Sequence, residues 1–182
     1  MKPYVIIWKK LGIRLSRVNA IHFVWEKNIM PEARIVAVCS SAKRGVPKKR
    51  IYSGLLKAGY GLVGDAHGGR GDKEVSILLS QFLTPVIRKL GTEPKPGSFA
   101  ENLLVWGLDE KSLAAGSVLR VGEAVIVVET VGKNPSEKHT YSFQGFSLLA
   151  EKGLFCRIIK SGWIKDGDHI TIIQETINKG LQ

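Results

Sequence analysis

The densest run of chemically capable residues spans Gly61 to Lys73 and reads Gly-Leu-Val-Gly-Asp-Ala-His-Gly-Gly-Arg-Gly-Asp-Lys. Five glycines, two aspartates, one histidine and two cations fall within thirteen residues. Glycine lets a backbone turn tightly and come close to a ligand. Asp65 and His67 lie two apart, so on an extended segment they share a face. There a carboxylate and an imidazole can orient a proton or an anion, and both are candidate catalytic groups. Arg70 and Lys73 add positive charge for an anionic cofactor. The plainer alternative is a long loop whose Asp and His only satisfy backbone groups. A Walker loop is excluded, because no G-x-x-x-x-G-K-[ST] string is present.

Three further groups compete with this one. Glu101 and Asn102 precede an apolar run and either cap a turn or face a pocket. The string Val131-Gly132-Lys133-Asn134-Pro135-Ser136-Glu137-Lys138-His139 brings Lys133, Ser136 and a histidine together after a strand end. Serine near histidine hints at acyl chemistry, but the nucleophile elbow G-x-S-x-G is missing. Cys156 lies in an apolar strand and is either a buried hydrophobe or a thiol that carries sulfur. Four scattered histidines offer no zinc-ligand spacing.

The elements that must position these residues are mostly short. Arg34 to Cys39, Val75 to Leu79, Val118 to Val121, Ala124 to Glu129, Leu154 to Ile159 and His169 to Ile173 are β-branched or apolar runs bounded by turn residues. A short helix is expected from Ser80 or Thr84 to Leu90, with Pro85 as its first helical residue and Gly91 at its end. One or two helical turns are expected between Phe143 and Glu151. Many short strands with small helices predict a mainly β fold, a distorted antiparallel β-barrel.

The 182 residues carry a formal charge of +11, and its distribution is uneven. Residues 1–29 hold six Lys/Arg against Glu26, and residues 43–57 hold six with no acid. The remaining 15 basic and 15 acidic residues cancel. A nucleic-acid coat protein is basic throughout, so nucleic acid is an unlikely partner for the body of the chain. The 43–57 loop keeps open a second reading, a non-catalytic binding module for a protein or nucleic acid. Two cysteines make no disulfide framework, which predicts a reducing, cytoplasmic setting. No apolar run reaches the roughly 18 residues of a spanning helix. Residues 1–29 read as an extension ahead of a start at Met30, as an extra packed element, or as a targeting amphipath. The domain is expected over 30–182.

Taken in order, several of these strings resemble the MOSC domain family, named for the C-terminal region of molybdenum-cofactor sulfurases. They are Ile35–Val38 followed by the basic 43–49 stretch, Gly64-Asp65-Ala66-His67, Val75–Leu79, Glu101-Asn102-Leu103 with Gly107-Leu108, and Leu119–Ala124 running on to Gly132-Lys133. Gly153–Ile159 and Gly167-Asp168 extend the match, which covers about residues 33–173. The resemblance implies a MOSC-like barrel that binds molybdenum cofactor (molybdopterin) or handles sulfur borne by it. It also implies associations with molybdenum-ion and pyridoxal phosphate binding, and a redox or cofactor-synthesis protein as partner. Some relatives use the cofactor to reduce N-hydroxylated compounds. Lys133, Glu101, Asn102, Arg70 and Lys73 would then hold the cofactor, with Asp65, His67, Ser136 and Cys156 as the catalytic candidates. One departure stands out. Where the family places a cysteine soon after Gly-Lys, this chain has Pro135 and Ser136. A hydroxyl is a hard ligand and carries no transferable sulfur.

Overall fold

The apolar runs do form strands, as seen in a computed structural model that describes residues 32–69, 71, 73–134 and 141–173. All of these lie in the second of two units, Met1–Met30 and Pro31–Gln182. Arg70, Pro135, Ser136, His139 and the 1–29 extension fall outside the described residues. The strands are β1 (Arg34–Ser40), β2 (Lys49–Arg50), β3 (Ser53–Lys57), β4 (Gly61–Leu62), β5 (Val75–Leu79), β6 (Leu103–Trp106), β7 (Val118–Val121), β8 (Ala124–Val131), β9 (Leu154–Lys160), β10 (Gly162–Lys165) and β11 (Ile170–Ile173). The two α-helices are α1 (Thr84–Leu90) and α2 (Leu148–Lys152). A 3-10 turn, Ser80–Leu83, leads directly into α1, Pro85 sits in its first turn and Gly91 closes it.

Eight strands form one sheet in the order β11-β7-β8-β9-β5-β6-β1-β2, and β10-β3-β4 form a second. The mainly β, MOSC-like expectation holds, with two differences. First, β5 and β6 run parallel. Parallel neighbours need a crossover, and the 3-10 turn with α1 supplies it. Second, the large sheet is not closed into a barrel. At the seam, Arg34 bridges His169, Ile35 N–H donates to Asp168 O at 2.9 Å, and Ile170 N–H donates to Ala33 O at 2.7 Å. β1 and β11 meet only at their first residues, too short an overlap for a ladder. β3, β4 and β10 were not legible as strands, because Gly54, Gly61 and Gly162 read as turn punctuation.

Each face of the large sheet buries its own cluster. Ile35, Val38, Val75, Ile77, Leu79, Leu103, Val105, Ile126, Val128 and Cys156 share one core cluster. Ala37, Cys39, Leu78 and Leu104 face the other way, onto Val86 of α1, Leu148 of α2 and Phe99. Strand alternation predicts this split. Ile35 and Val38 are an odd number of residues apart yet share a face, because a register shift between Ile35 and Ala37 absorbs the extra residue. Among the described residues no helix is long and apolar enough to cross a membrane.

Candidate functional site

The outer face of the sheet opens between α2 and the loops before β5 and β6. Ser76 of β5 lies opposite Phe155 of β9, and Asn102 is held beside them. Asn102 Oδ1 accepts from Ser76 N at 3.2 Å and Ser76 Oγ at 3.1 Å, while its Nδ2 donates to Cys39 O at 3.2 Å. These residues floor a cleft of about 150 Å³, walled by Phe99, Ala100, Tyr141, Leu149 and Ala150 and by the side chains of His67, Lys73 and Lys133. The Lys73 and Lys133 ammoniums each lie 5.5 Å from the Phe155 ring centroid. A cation over an aromatic face is attracted by the ring's quadrupole, so Phe155 gathers both charges at the cleft. None of the described lining residues is acidic.

Lys133 reaches this position because the chain turns at Gly132, whose φ is +69°. A side chain there would crowd the Glu151 and Ala150 carbonyls at the end of α2. Lys133 N–H then donates to Ala150 O at 2.7 Å, which fixes the lysine against the helix.

Asp65 and His67 do come together. His67 Nδ1 is 3.1 Å from Asp65 Oδ1, and His67 N–H donates to the same oxygen at 3.1 Å. The other carboxylate oxygen accepts from Lys48 Nζ at 2.7 Å and from Ser41 N–H at 3.1 Å. Side-chain exposure is only 2% for both Lys48 and Asp65, against 42% for His67. Burial alone would raise the Asp65 carboxyl. The His67 hydrogen bond and the Lys48 ammonium outweigh it and hold the group well below the usual carboxylate range. An ionised Asp65 accepts the Nδ1 proton and leaves Nε2 as the ring's remaining polar atom at the cleft.

Glu101 is 1% exposed and does not line the cleft. Its carboxylate accepts from Gly97 N–H at 2.6 Å and Phe99 N–H at 3.0 Å, closing the loop that forms one cleft wall. Burial pushes the group up to about 7, against the pull of those N–H donors and of Lys48. The wall residue Ala100 sits at φ +66°, a left-handed conformation of a kind that costs on the order of 1–3 kcal/mol for a non-glycine residue and persists only where the surroundings impose it.

Cys156 is the strand neighbour of Phe155 and so faces the opposite side of the sheet. Its side chain is wholly buried in the core, and burial pushes its thiol up, far from the thiolate that nucleophilic or sulfur-carrying chemistry requires. Cys39 is also buried, its thiol pushed up to about 12. Among the described residues no cluster of His, Cys, Asp or Glu could hold a metal ion. Arg70 and Ser136 lie outside the described residues.

Lys48, Phe155, Phe99 and Tyr141 were not legible as site residues. Lys48 read as one charge of a solvated loop, and nothing local marks a lysine for burial against a residue 17 positions away. Phe155 had a signal in strand alternation: with Cys156 in the core, its neighbour must face outward. The rest of the basic loop is also partly engaged. Arg50 Nε donates to Asp166 Oδ2 at 2.6 Å and its guanidinium lies 4.8 Å from the Tyr52 ring, while Arg44 Nε donates to Ala66 O at 3.3 Å.

Comparison with known proteins bears on the whole arrangement. The family model described as MOSC domain matches residues 64–171. Among solved structures, YiiM from Geobacillus stearothermophilus superposes with a TM-score of 0.60 at 16% identity, covering 80% of this chain and 77% of that one. The YuaD protein from Bacillus subtilis gives 0.61 at 19% identity, covering 76% and 93%. YiiM from Escherichia coli gives 0.56 at 22%, covering 78% and 70%. At these identities the likeness is one of fold. No curated protein matches the chain.

Proposed function

This chain belongs to the MOSC domain family, and from that premise we propose that its cleft binds the anionic head of a molybdenum-cofactor-type pterin. The observation that carries the reading is the pair of lysine ammoniums, Lys73 and Lys133, gathered at Phe155 in a cleft with no described acidic lining residue. About 150 Å³ is small beside the roughly 300–1,000 Å³ that encloses a drug-sized ligand, so these walls suit a phosphate-sized group rather than a whole pterin. Lys73 and Lys133 would neutralise the head group. His67, oriented through Nδ1 by Asp65, would hold or accept a proton at Nε2.

The fit extends to the anionic part of the cofactor. No soft metal ligand comes from the described side chains, since both cysteines lie in buried clusters and the family's cysteine position falls at Pro135 or Ser136. When bound, molybdenum cofactor supplies two-electron redox chemistry, the basis on which some relatives reduce N-hydroxylated compounds. Reduction of that kind, or cofactor sulfuration, with a redox or cofactor-synthesis protein as partner, belongs to the same proposal. The alternative of a binding module built on the 43–57 loop has less support. Lys48 is buried in an ion pair, and Arg44 and Arg50 are spent on internal contacts.

Purification from a cofactor-producing host, followed by molybdenum analysis and pterin fluorescence, tests the reading. Pterin should co-purify or bind when added, and Lys73→Ala with Lys133→Ala should weaken it at least tenfold, the scale expected when two charge-assisted contacts are lost. Failure of the intact chain to bind added cofactor would sink the proposal. Ser136→Cys then asks whether a restored thiol creates molybdenum binding absent from the parent.

A further inference from the structure

Two buried carboxylates, Asp65 and Glu101, lie near Lys48, the buried cation among the described residues. Lys48 Nζ makes its ion pair with Asp65 at 2.7 Å, which leaves Glu101 with backbone N–H donors only. The titratable and charged groups whose charges act with that of Glu101 are Lys48, the Cys39 thiol of β1 and the Tyr141 phenol, and Asp65 is ion-paired to the same Lys48. Tyr141 lines the cleft and donates to Ser98 O at 2.8 Å, and its phenol is pushed up by burial and by the Glu101 charge. The field of Glu101 therefore reaches the cleft. So does its backbone, because the cleft residues Phe99, Ala100 and Asn102 flank it on both sides.

We propose that the cleft takes up its anion together with a proton, and that Glu101 is the group that accepts the proton. An anion held by Lys73 and Lys133 in a cleft walled by Phe99 and Ala100 adds negative charge near a carboxylate that makes no ion pair of its own, in surroundings where water screens poorly. Protonating Glu101 removes that repulsion, and the oxygen left unprotonated still accepts from its own loop N–H, Gly97 at Oε1 or Phe99 at Oε2. Linkage makes the effect reciprocal: a bound anion raises the proton affinity of Glu101, and a proton on Glu101 raises the affinity for the anion. Free Glu101, at about 7, is poised for this exchange at neutral pH. The inference rests on the cleft being an anion site, as proposed above.

Inorganic sulfate is the probe, because its charge does not change between pH 6 and 8. Titration calorimetry on the full chain, in buffers of different ionisation enthalpy, counts the protons exchanged. Affinity should fall roughly tenfold from pH 6 to pH 8, within the usual range of coupling between sites. Proton uptake should appear at pH 8 and be near zero at pH 6. Both should disappear in Glu101→Gln. If Glu101→Gln does not fold, the NMR carboxyl shift of Glu101 in the parent decides: movement toward the protonated value on adding sulfate at pH 8 supports the coupling, and no movement overturns it. Binding without uptake at pH 8 overturns the coupling while leaving the anion site standing, and an unchanged pH slope in Glu101→Gln does the same. No sulfate binding at any pH sinks the site and the coupling together.

Discussion

Asp65 and Glu101 are both carboxylates with almost no exposed surface, and the fold shifts them in opposite directions. Asp65 has a lysine at 2.7 Å, a histidine ring and two backbone N–H groups, and is held ionised. Glu101 has two backbone N–H groups and a more distant share of the same lysine, and burial raises it to about 7. Burial penalises both charges, so the difference is set by the His67 hydrogen bond to Asp65 and by where the Lys48 ammonium goes. The segment around Asp65 is a fixed electrostatic support for His67. The loop around Glu101 holds a carboxyl that burial raises to about 7.

The sharpest way to break this contrast is to remove the shared cation. Lys48→Met leaves Asp65 charged and unpaired in the interior and should destabilise by about 3–5 kcal/mol. Denaturant unfolding of Lys48→Met, Asp65→Asn and the double variant checks this. The double variant should cost clearly less than the sum of the single changes, and full additivity would contradict the pairing.

Next in size is Gly97→Ala. Gly97 has φ +87° and its missing Cβ would run into the Lys48 carbonyl, so the loop and the lysine backbone must separate. A loss of roughly 2 kcal/mol is expected from backbone strain of this kind, read as a lower urea midpoint. A lowered sulfate affinity should accompany it, because the same loop carries Phe99 and Ala100.

The pH dependence of stability follows in two signed parts. Glu101 is raised in the fold from an ordinary 4.5 to about 7, so its favourable contribution is complete below 4.5 and is lost as pH rises toward 7. The slope is at most about 1.4 kcal/mol per pH unit for one proton. Asp65 is depressed from an ordinary 3.8, so its contribution is present above that value and is lost as the medium becomes more acid. Together they place their joint maximum near pH 4 to 4.5. Unfolding free energies from pH 3 to 8 check this, and Glu101→Gln should flatten the upper limb alone.

Cys156→Ala should produce the smallest of these changes. It should cost on the order of 1 kcal/mol for a small cavity and leave sulfate binding unchanged. Loss of binding or of sulfur transfer with stability intact would restore the thiol as a functional group.

Much of this architecture was legible from residue order. The runs at β1, β5, β7, β8, β9 and β11 declared themselves by β-branched and apolar content, and Pro85 with Gly91 bounded α1. β3, β4 and β10 did not, because they are short and carry glycines that signal a turn as readily as a close-packed strand. The open sheet and the parallel β5–β6 pair depend on which strands find each other across long separations, which no local window contains. At the site, Asp65 and His67 meet through a turn in which His67 N–H donates to Asp65 Oδ1, and not across the shared face of an extended segment that their spacing suggests. Glu101 and Asn102 drew attention as a polar pair before an apolar run, yet nothing in that string says that Glu101 closes a loop while Asn102 floors the cleft.

The sequence by itself determined the strand content, the MOSC resemblance and the position of the charged and glycine-rich segments, because these depend on residue type and short-range spacing. Tertiary structure alone decided the charge states. Lys48 is a surface lysine in any local reading, and only the fold buries it against Asp65 and denies it to Glu101. Coulomb energy depends on distance and solvent access in three dimensions, and neither is written in the order of the residues.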